Sequence, residues 1–179
     1  MVKASPVSSL YAGTVHPGKY LVLVSGDTAS VEEAMSVGVD LAGSRSVGTI
    51  FLPDIDPGVV TALTEPKSGA ALGSEAVGIV ETESVAPLFG AADAGAKAAR
   101  VAVAGVRLAD GLGGKAYVLF TGPVAEVEAA VEAAVEGPKA SNTLVEWQII
   151  PLIALEVAEN LAADLTFTPR LAARPAERG

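Results

Sequence analysis

The chain has 179 residues, of which half are hydrophobic but only 4% are aromatic, and its formal net charge is −9. An acidic surface repels phosphate backbones, which argues against nucleic acid as a partner, and the absence of cysteine excludes disulfides and thiolate-held iron–sulfur clusters. No apolar run approaches the roughly 18 residues of a membrane span, and the first residues lack the apolar segment of a secretion signal, so we expect a soluble cytoplasmic protein without a membrane partner.

The chain contains an internal repeat. A displacement of 96 residues aligns Gly18-Lys19 with Gly114-Lys115, and a displacement of 94 residues aligns Lys3-Ala4 with Lys97-Ala98. The change of two residues between these alignments indicates a difference in loop length near His16, the single histidine of the chain. Matches that recur in the same order along both halves predict a duplicated structural unit.

The first unit is predicted to contain a strand, a helix and a second strand. Lys19–Ser25 is a short run rich in Val and Leu, which is typical of a strand. The apolar residues of Thr28–Ala42 fall on one helical face, and Gly43 is a suitable residue to end that helix. Ser46–Leu52 reads as a strand stopped by Pro53.

The second unit is predicted to follow the order β-α-β-β-α-β. Its elements are strand Ala76–Thr82, helix Val85–Ala99, strand Val101–Arg107, strand Lys115–Thr121, helix Pro123–Glu136 and strand Thr143–Ile150. Ser84 is placed to cap the first of these helices. That helix contains Gly90 and Gly95, each of which costs up to about 1 kcal/mol relative to Ala. We therefore expect another element to pack very close to it.

These elements predict two domains, over residues 1–63 and 76–161, joined by a linker over 64–75 and followed by a tail over 162–179. The first domain holds only the last part of the β-α-β-β-α-β order, because Met1–Ala4 aligns with the final turn of the second domain's first helix. A missing opening strand would leave unpaired backbone inside a sheet. We therefore expect the natural chain to start upstream of Met1; the alternative is that Leu165–Thr168 of the tail fills the gap.

Three segments resemble the shell domain of bacterial microcompartments. Ala76–Ala99 is similar to the family's opening strand and small-residue helix, Gly111–Val118 to its pore-loop segment, and Ile149–Pro151 to the close of its sheet. Two such domains in one chain resemble the tandem-domain shell proteins, which form trimers that imitate hexagonal tiles. The resemblance implies an α+β fold of two tandem ferredoxin-like domains, with sheets flanked by helices, and a structural rather than enzymatic function.

The resemblance also implies sites and partners. The partners are two further copies of the chain in a homotrimer, other shell proteins, and enzymes enclosed by the shell; the axial pore passes small metabolites or cofactors. The residues implied to line the pore are His16, Pro17, Gly18, Gly111, Leu112 and Gly113. Lys97 and Lys3 are implied at the tile edge, although a helix-end lysine is also explained by the helix dipole. Pro151 is followed by Leu152 instead of the family's frequent Arg-Pro-His, so further edge contacts are not transferred.

Three functions are open to His16. Catalysis needs positioned partners, and no nucleophile motif accompanies it. In one tandem-domain subclass, from propanediol-type compartments, a Cys occupies this turn and three copies hold an iron–sulfur cluster. Three copies of His16 cannot do that, but they could bind Zn²⁺ or another borderline metal ion. The third interpretation is a pore-rim or turn residue without metal.

Other motifs give weaker hypotheses. Gly111–Lys115 lacks the spacing of a phosphate-binding loop and leads into a strand. Glu81 and Glu83 could be read as a carboxylate pair, but their positions at a strand end favour a solvated or interface role. The leading hypothesis is a shell tile, the second is a trimeric small-molecule-binding regulator, and an enzyme ranks third.

Overall fold

The computed structural model describes residues 1–64 and 75–162, with the backbone alone for residues 159–162. The strands are β1 (Ser9–Val15), β2 (Lys19–Ser25), β3 (Ala76–Thr82), β4 (Ala102–Leu108), β5 (Ala116–Gly122) and β6 (Leu144–Ile150). The helices are α1 (Thr28–Ala42), α2 (Pro57–Thr64), α3 (Val85–Ala98), α4 (Val124–Ala140) and α5 (Leu155–Ala162). Most of the predicted linker and tail, including Leu165–Thr168, lies outside the described residues.

The second domain is built on an antiparallel four-stranded sheet with the strand order β4-β5-β3-β6. The helices α3 and α4 pack on one face and on each other, while α5 covers the other face, where Ile153 and Ala158 join Val77 and Leu119. Side chains alternate between the two faces of a strand, so consecutive residues of β3 pack on opposite faces of the sheet. The predicted β-α-β-β-α-β order is confirmed.

Close packing explains the glycines of α3. A Cβ atom at Gly95 would lie 2.5 Å from Cζ of Phe120 and 2.9 Å from the carbonyl oxygen of Ala130 in α4. At Gly90 it would lie 2.9 Å from Cδ1 of Ile50, which belongs to the first repeat. The expectation that another element packs very close to this helix is therefore confirmed, and two different elements do so.

The first repeat contributes a two-stranded hairpin, β1 and β2, followed by α1. The α1 helix has its predicted bounds: the Asp27 side chain accepts a hydrogen bond from the backbone N–H of Ser30, and Gly43 ends the helix with φ +51°. The sequence pattern did not predict β1, because polar and apolar residues alternate only weakly in its sequence, SLYAGTV. The strand forms because all seven of its residues pair with β2.

The predicted strand Ser46–Leu52 is wrong, since this segment has no strand ladder. In the second domain the corresponding strand, β6, pairs with β3. The described part of the first repeat contains no counterpart of β3, so the backbone of Ser46–Leu52 has no neighbour with which to form a ladder. Its side chains pack on α3 instead: Ile50 meets Gly90, and a Cβ at Gly48 would contact that of Ala86.

Two helices and one helix end also differ from expectation. The helices α2 and α5 were not predicted. Each starts four residues after a proline that follows the last apolar segment of its repeat, Pro53 for α2 and Pro151 for α5. Buried Val59 of α2 lies in the core cluster that contains α3, so α2 joins the first repeat to the second domain. The helix α4 continues past its predicted end at Glu136 to Ala140 and includes Pro138 in its last turn.

Candidate functional site

Two loops, one from each repeat, define the candidate site. The first is the three-residue connection between β1 and β2, formed by His16, Pro17 and Gly18. Gly18 has φ +61°, the left-handed conformation that a three-residue hairpin requires. The second connects β4 to β5 and consists of the seven residues 109–115, so the change from a displacement of 94 residues to one of 96 falls in this loop, as predicted.

The two loops contact each other directly. Oδ1 of Asp110 accepts a hydrogen bond of 3.0 Å from the backbone N–H of His16 and lies 3.4 Å from the ring Nδ1 of the same residue. Below this contact Gly114 is buried, and a Cβ there would lie 2.8 Å from Cδ of Pro17 and 2.9 Å from Nζ of Lys19. Gly114 has φ +90°, so both its conformation and the close approach of the first loop favour glycine.

The structure brings the six predicted pore residues together on these two loops. Leu112 is half-buried and the other five, which are His16, Pro17, Gly18, Gly111 and Gly113, are exposed. The side chain of His16 is 82% exposed, whereas that of Asp110 is 10% exposed. Within the described part of one chain, no three His, Cys, Asp or Glu side chains are grouped closely enough to hold a metal ion. A metal site at His16 would therefore need ligands from outside this part of the chain.

A second polar cluster joins the two domains. Oδ1 of the buried Asp93 accepts a 2.7 Å hydrogen bond from the backbone N–H of Asp56, and Oδ2 lies 2.9 Å from Nζ of Lys97. Lys97 also donates to the backbone carbonyl of Asp54. The hydrogen bond with Asp93 raises the pKa of Lys97 above its usual range. The predicted edge lysine thus fastens a loop of the first repeat to α3, and Lys3 lies exposed near the start of the chain.

The remaining candidates do not form a catalytic arrangement. The loop from Gly111 leads into a strand, not into a helix N-terminus. Glu81 lies 3.5 Å from Nζ of Lys115, and Glu83 is exposed after the strand. An apolar groove of about 270 Å³ between α3 and α4 is lined by Ile50 and by small side chains, with Ser141 as its polar residue. No ionisable side chain lines this groove.

Sequence analysis missed Asp110 and Asp93, the two carboxylates that make these contacts. Asp110 has the appearance of a turn residue before Gly111, and Asp93 that of a polar residue in a small-residue helix. Their partners are 94 and 37 residues away along the chain. One feature of the repeat could have pointed to Asp110, because the displacement of 94 residues aligns it with His16.

The duplicated units, the helices packed on one face of the sheet and the two repeat loops in contact define a tandem-domain protein. The BMC domain family matches residues 1–55 and again 76–153. The chain therefore belongs to the BMC domain family, and the predicted α+β fold of two tandem domains is confirmed. No helix among the described residues is long and apolar enough to cross a membrane.

Individual relatives agree with the family match. The chain is 38% identical over 151 residues to the bacterial microcompartment shell protein PduT of Citrobacter freundii, covering 84% of this chain and 81% of that protein. It is 38% identical over 93 residues to the carboxysome shell protein CcmK3 of Synechococcus elongatus, covering 51% of this chain and 89% of the relative. The shorter relative thus corresponds to about half of the present chain, which fits a duplicated domain.

Solved structures show the same fold. A microcompartment protein from Desulfitobacterium hafniense DCB is similar with a TM-score of 0.77 and 37% identity, covering 87% of this chain and 86% of that one. A fused permuted hexameric shell protein of the RMM microcompartment has a TM-score of 0.54 and 20% identity, covering 79% and 74%, and supports the fold alone.

Proposed function

We propose that this protein is a structural shell subunit of a bacterial microcompartment, located in the shell within the bacterial cytoplasm. The observation that carries this proposal is the BMC domain match in both halves of the chain, together with two shell-protein relatives. The second hypothesis from the sequence, a small-molecule-binding regulator, gains no support from these relatives. A catalytic role is not proposed, because the described residues offer no acid, base and nucleophile in one place.

The proposed assembly is a homotrimer that forms a pseudohexameric tile. The six domains of three chains would surround one axis, and closed symmetry would repeat each loop around it. The contact between the His16 loop and the Asp110 loop supports this arrangement, because both repeats present corresponding loops at one place. The pore residues would then be His16–Gly18 and Gly111–Gly113, and small metabolites or cofactors would pass between them.

Metal binding at the axis is a separate part of the proposal. The chain has no cysteine, so a thiolate-held iron–sulfur cluster does not fit these residues. Three exposed His16 side chains could supply three imidazole ligands, which suit Zn²⁺ and other borderline metal ions. The measurement is metal content of the purified trimer with and without His16→Ala. One ion per trimer that is lost in the variant would support the site, whereas equal, substoichiometric contents would contradict it.

The proposed tile edge includes Lys97 and Lys3, and the neighbours across it would be other shell proteins and, on the enclosed side, cargo enzymes. Lys97 is 44% exposed on its side chain even though its ammonium group contacts Asp93. It can therefore stiffen the domain junction and still reach a neighbouring tile. Lys97→Ala should reduce the formation of sheets by the purified protein more than Lys139→Ala, which removes an exposed lysine at the end of α4.

Electron microscopy and light scattering test the proposed function. Purified protein should have three times the mass of its chain, and at high concentration it should form flat hexagonal sheets or tubes. A dispersed particle that binds nucleotide and never forms sheets, alone or with other shell proteins, would contradict the proposal.

A further inference from the structure

Asp110 is the residue through which the two loops are connected. A single oxygen, Oδ1, faces both the backbone N–H of His16 at 3.0 Å and the ring nitrogen Nδ1 at 3.4 Å. The carboxylate is nearly enclosed while the imidazole is mostly exposed. The carboxylate therefore fixes one end of the ring against the protein, and the other end points away from this contact.

We propose that Asp110 is a positioning residue that holds neutral His16 in the tautomer with its proton on Nδ1. The other ring nitrogen, Nε2, then carries a lone pair and acts as a hydrogen-bond acceptor at the exposed side of the ring. The inference rests on the proposed function only in placing that nitrogen at a pore; the tautomer itself follows from the contact within one chain.

The chemistry of the two groups supports this assignment. An ionised carboxylate only accepts hydrogen bonds, and a neutral imidazole carries one N–H and one acceptor nitrogen. If Nδ1 carried the lone pair, two acceptors would face each other at 3.4 Å, which is unfavourable. With the proton on Nδ1, the same contact becomes a hydrogen bond to a charged group. Carboxylates and carbonyls set the tautomer of histidines in other proteins in this way.

The backbone contact keeps the carboxylate within reach of the ring. Because Oδ1 also binds the His16 N–H, the carboxylate is held beside the residue itself and not only beside its ring. Buried Gly114 beneath Pro17 keeps the two loops close. Of the neighbouring cations, the Lys115 ammonium is paired with Glu81, whereas Nζ of Lys19 lies beside Gly114 and a guanidinium nitrogen of Arg107 lies beside Gly111.

An acceptor at Nε2 determines which ligands the proposed pore rim can recognise. Three such nitrogens around an axis would offer lone pairs to borderline metal cations or to hydrogen-bond donors. The opposite tautomer would offer three N–H donors, which suit anions. Asp110 would therefore determine the chemical preference of His16 without facing the pore itself.

Nitrogen NMR of the whole protein tests the proposal directly. The chain has one histidine, so protein labelled with ¹⁵N-histidine gives one pair of ring nitrogens. At about pH 8.5, where imidazole is ordinarily neutral, long-range ¹H–¹⁵N spectra distinguish a protonated nitrogen from one with a lone pair. We expect Nδ1 to be protonated and Nε2 to carry the lone pair. The reverse assignment in the wild-type protein would overturn the proposal.

Two variants separate the tautomer from general effects on the loop. In Asp110→Asn the charge is lost and the amide can also donate, so the ratio of the two tautomers should shift towards Nε2–H by about tenfold. Glu81→Gln is the matched control, because it removes a carboxylate at the same end of the sheet that pairs with Lys115 and not with His16. An unchanged ratio in Asp110→Asn, or an equal shift in the control, would contradict the role of Asp110.

The NMR test of the His16 tautomer does not depend on the proposed shell function. If Asp110→Asn fails to fold, the wild-type spectrum still decides the tautomer. If the wild-type tautomer is as expected but the protein forms neither trimers nor sheets, the proposed function fails and the assignment to Asp110 stands. If sheets form and the tautomer is reversed, the assignment fails and the shell function stands.

Discussion

Gly95→Ala is expected to destabilise the protein although alanine is the better helix former. The residue lies in α3, where the change should contribute about 1 kcal/mol in favour of folding through helix propensity. The added Cβ would, however, lie 2.5 Å from Cζ of Phe120 and 2.9 Å from the carbonyl oxygen of Ala130. Both distances are shorter than any ordinary contact between these atoms.

The neighbours of Gly95 determine how much the added Cβ lowers the free energy of unfolding. Phe120 is fully buried in the sheet, and the Ala130 carbonyl belongs to the backbone of α4, so neither can move without disturbing the core. Overpacking of this kind costs about 1–3 kcal/mol, and the upper half of that range applies because two rigid groups are involved. After the gain in propensity, we expect a net loss of about 1–2 kcal/mol, or roughly 2–8 °C in Tm.

Gly137→Ala is the matched control. Gly137 is also helical, in α4, but a Cβ there has no neighbour within 4 Å. Because the ring of Pro138 crowds a Cβ on the preceding helical residue, the usual gain from Gly→Ala is reduced, and we expect the free energy of unfolding to change by less than about 1 kcal/mol. Urea unfolding followed by circular dichroism measures both variants, with equal m-values as the sign that the comparison is valid. If Gly95→Ala lowers the free energy of unfolding no more than Gly137→Ala does, the close packing of α3 on Phe120 and α4 is refuted.

Three further predictions concern the polar contacts. Asp93→Ala removes the acceptor of the Asp56 N–H and should lower the free energy of unfolding by about 2–3 kcal/mol. Asp54→Ala keeps its backbone carbonyl and loses only the attraction between its carboxylate and Lys97, so it should cost much less; equal losses would contradict the role of Asp93. Because Asp93 raises the pKa of Lys97, that lysine's contribution is complete below its unfolded-state pKa and is lost as the pH rises through the folded value. Lys97→Met should therefore flatten the alkaline decline of the unfolding midpoint, and an unaltered slope would count against the pairing. The Ser30 hydrogen bonds lower the pKa of Asp27, so its cap stabilises α1 above the unfolded-state pKa and is lost as the pH falls through the folded-state pKa. Asp27→Ala should therefore lower Tm at neutral pH and reduce the dependence of Tm on acid pH. A variant with the wild-type acid profile would disprove the cap.

The sequence was a good guide where local pattern and tertiary environment agree. The six predicted elements of the second domain lie within four residues of their observed bounds, because every strand has a pairing partner and both helices pack on the sheet. Ser46–Leu52 failed for the opposite reason: its apolar pattern indicates burial, but a strand also needs a partner backbone. Only Ile50–Leu52 is half-buried, whereas Ser46–Thr49 is exposed and no ladder forms, so the pattern alone could not separate a paired strand from a partly buried loop.

The candidate site was predicted in part. The repeat located both loops, since the matched Gly-Lys pairs mark their ends. It could not show that Asp110 contacts His16, because a carboxylate beside a glycine-rich turn is also what an ordinary turn contains. For Asp93, the helical spacing places Lys97 next to it, but only the folded chain brings the backbone N–H of Asp56 to it.

The contact between His16 and Asp110 also bears on why two domains are joined in one chain. The two residues occupy aligned positions of the repeats and touch each other. In a ring of six identical domains, a position that contacts its own counterpart can only meet the same residue, so a histidine would meet a histidine and an aspartate an aspartate. Like charges or two acceptors at such a contact are unfavourable. After duplication the two positions can differ, and an imidazole can be matched with a carboxylate. A tandem chain can therefore place unlike residues at equivalent positions next to the proposed axis, which a ring of identical single domains could not.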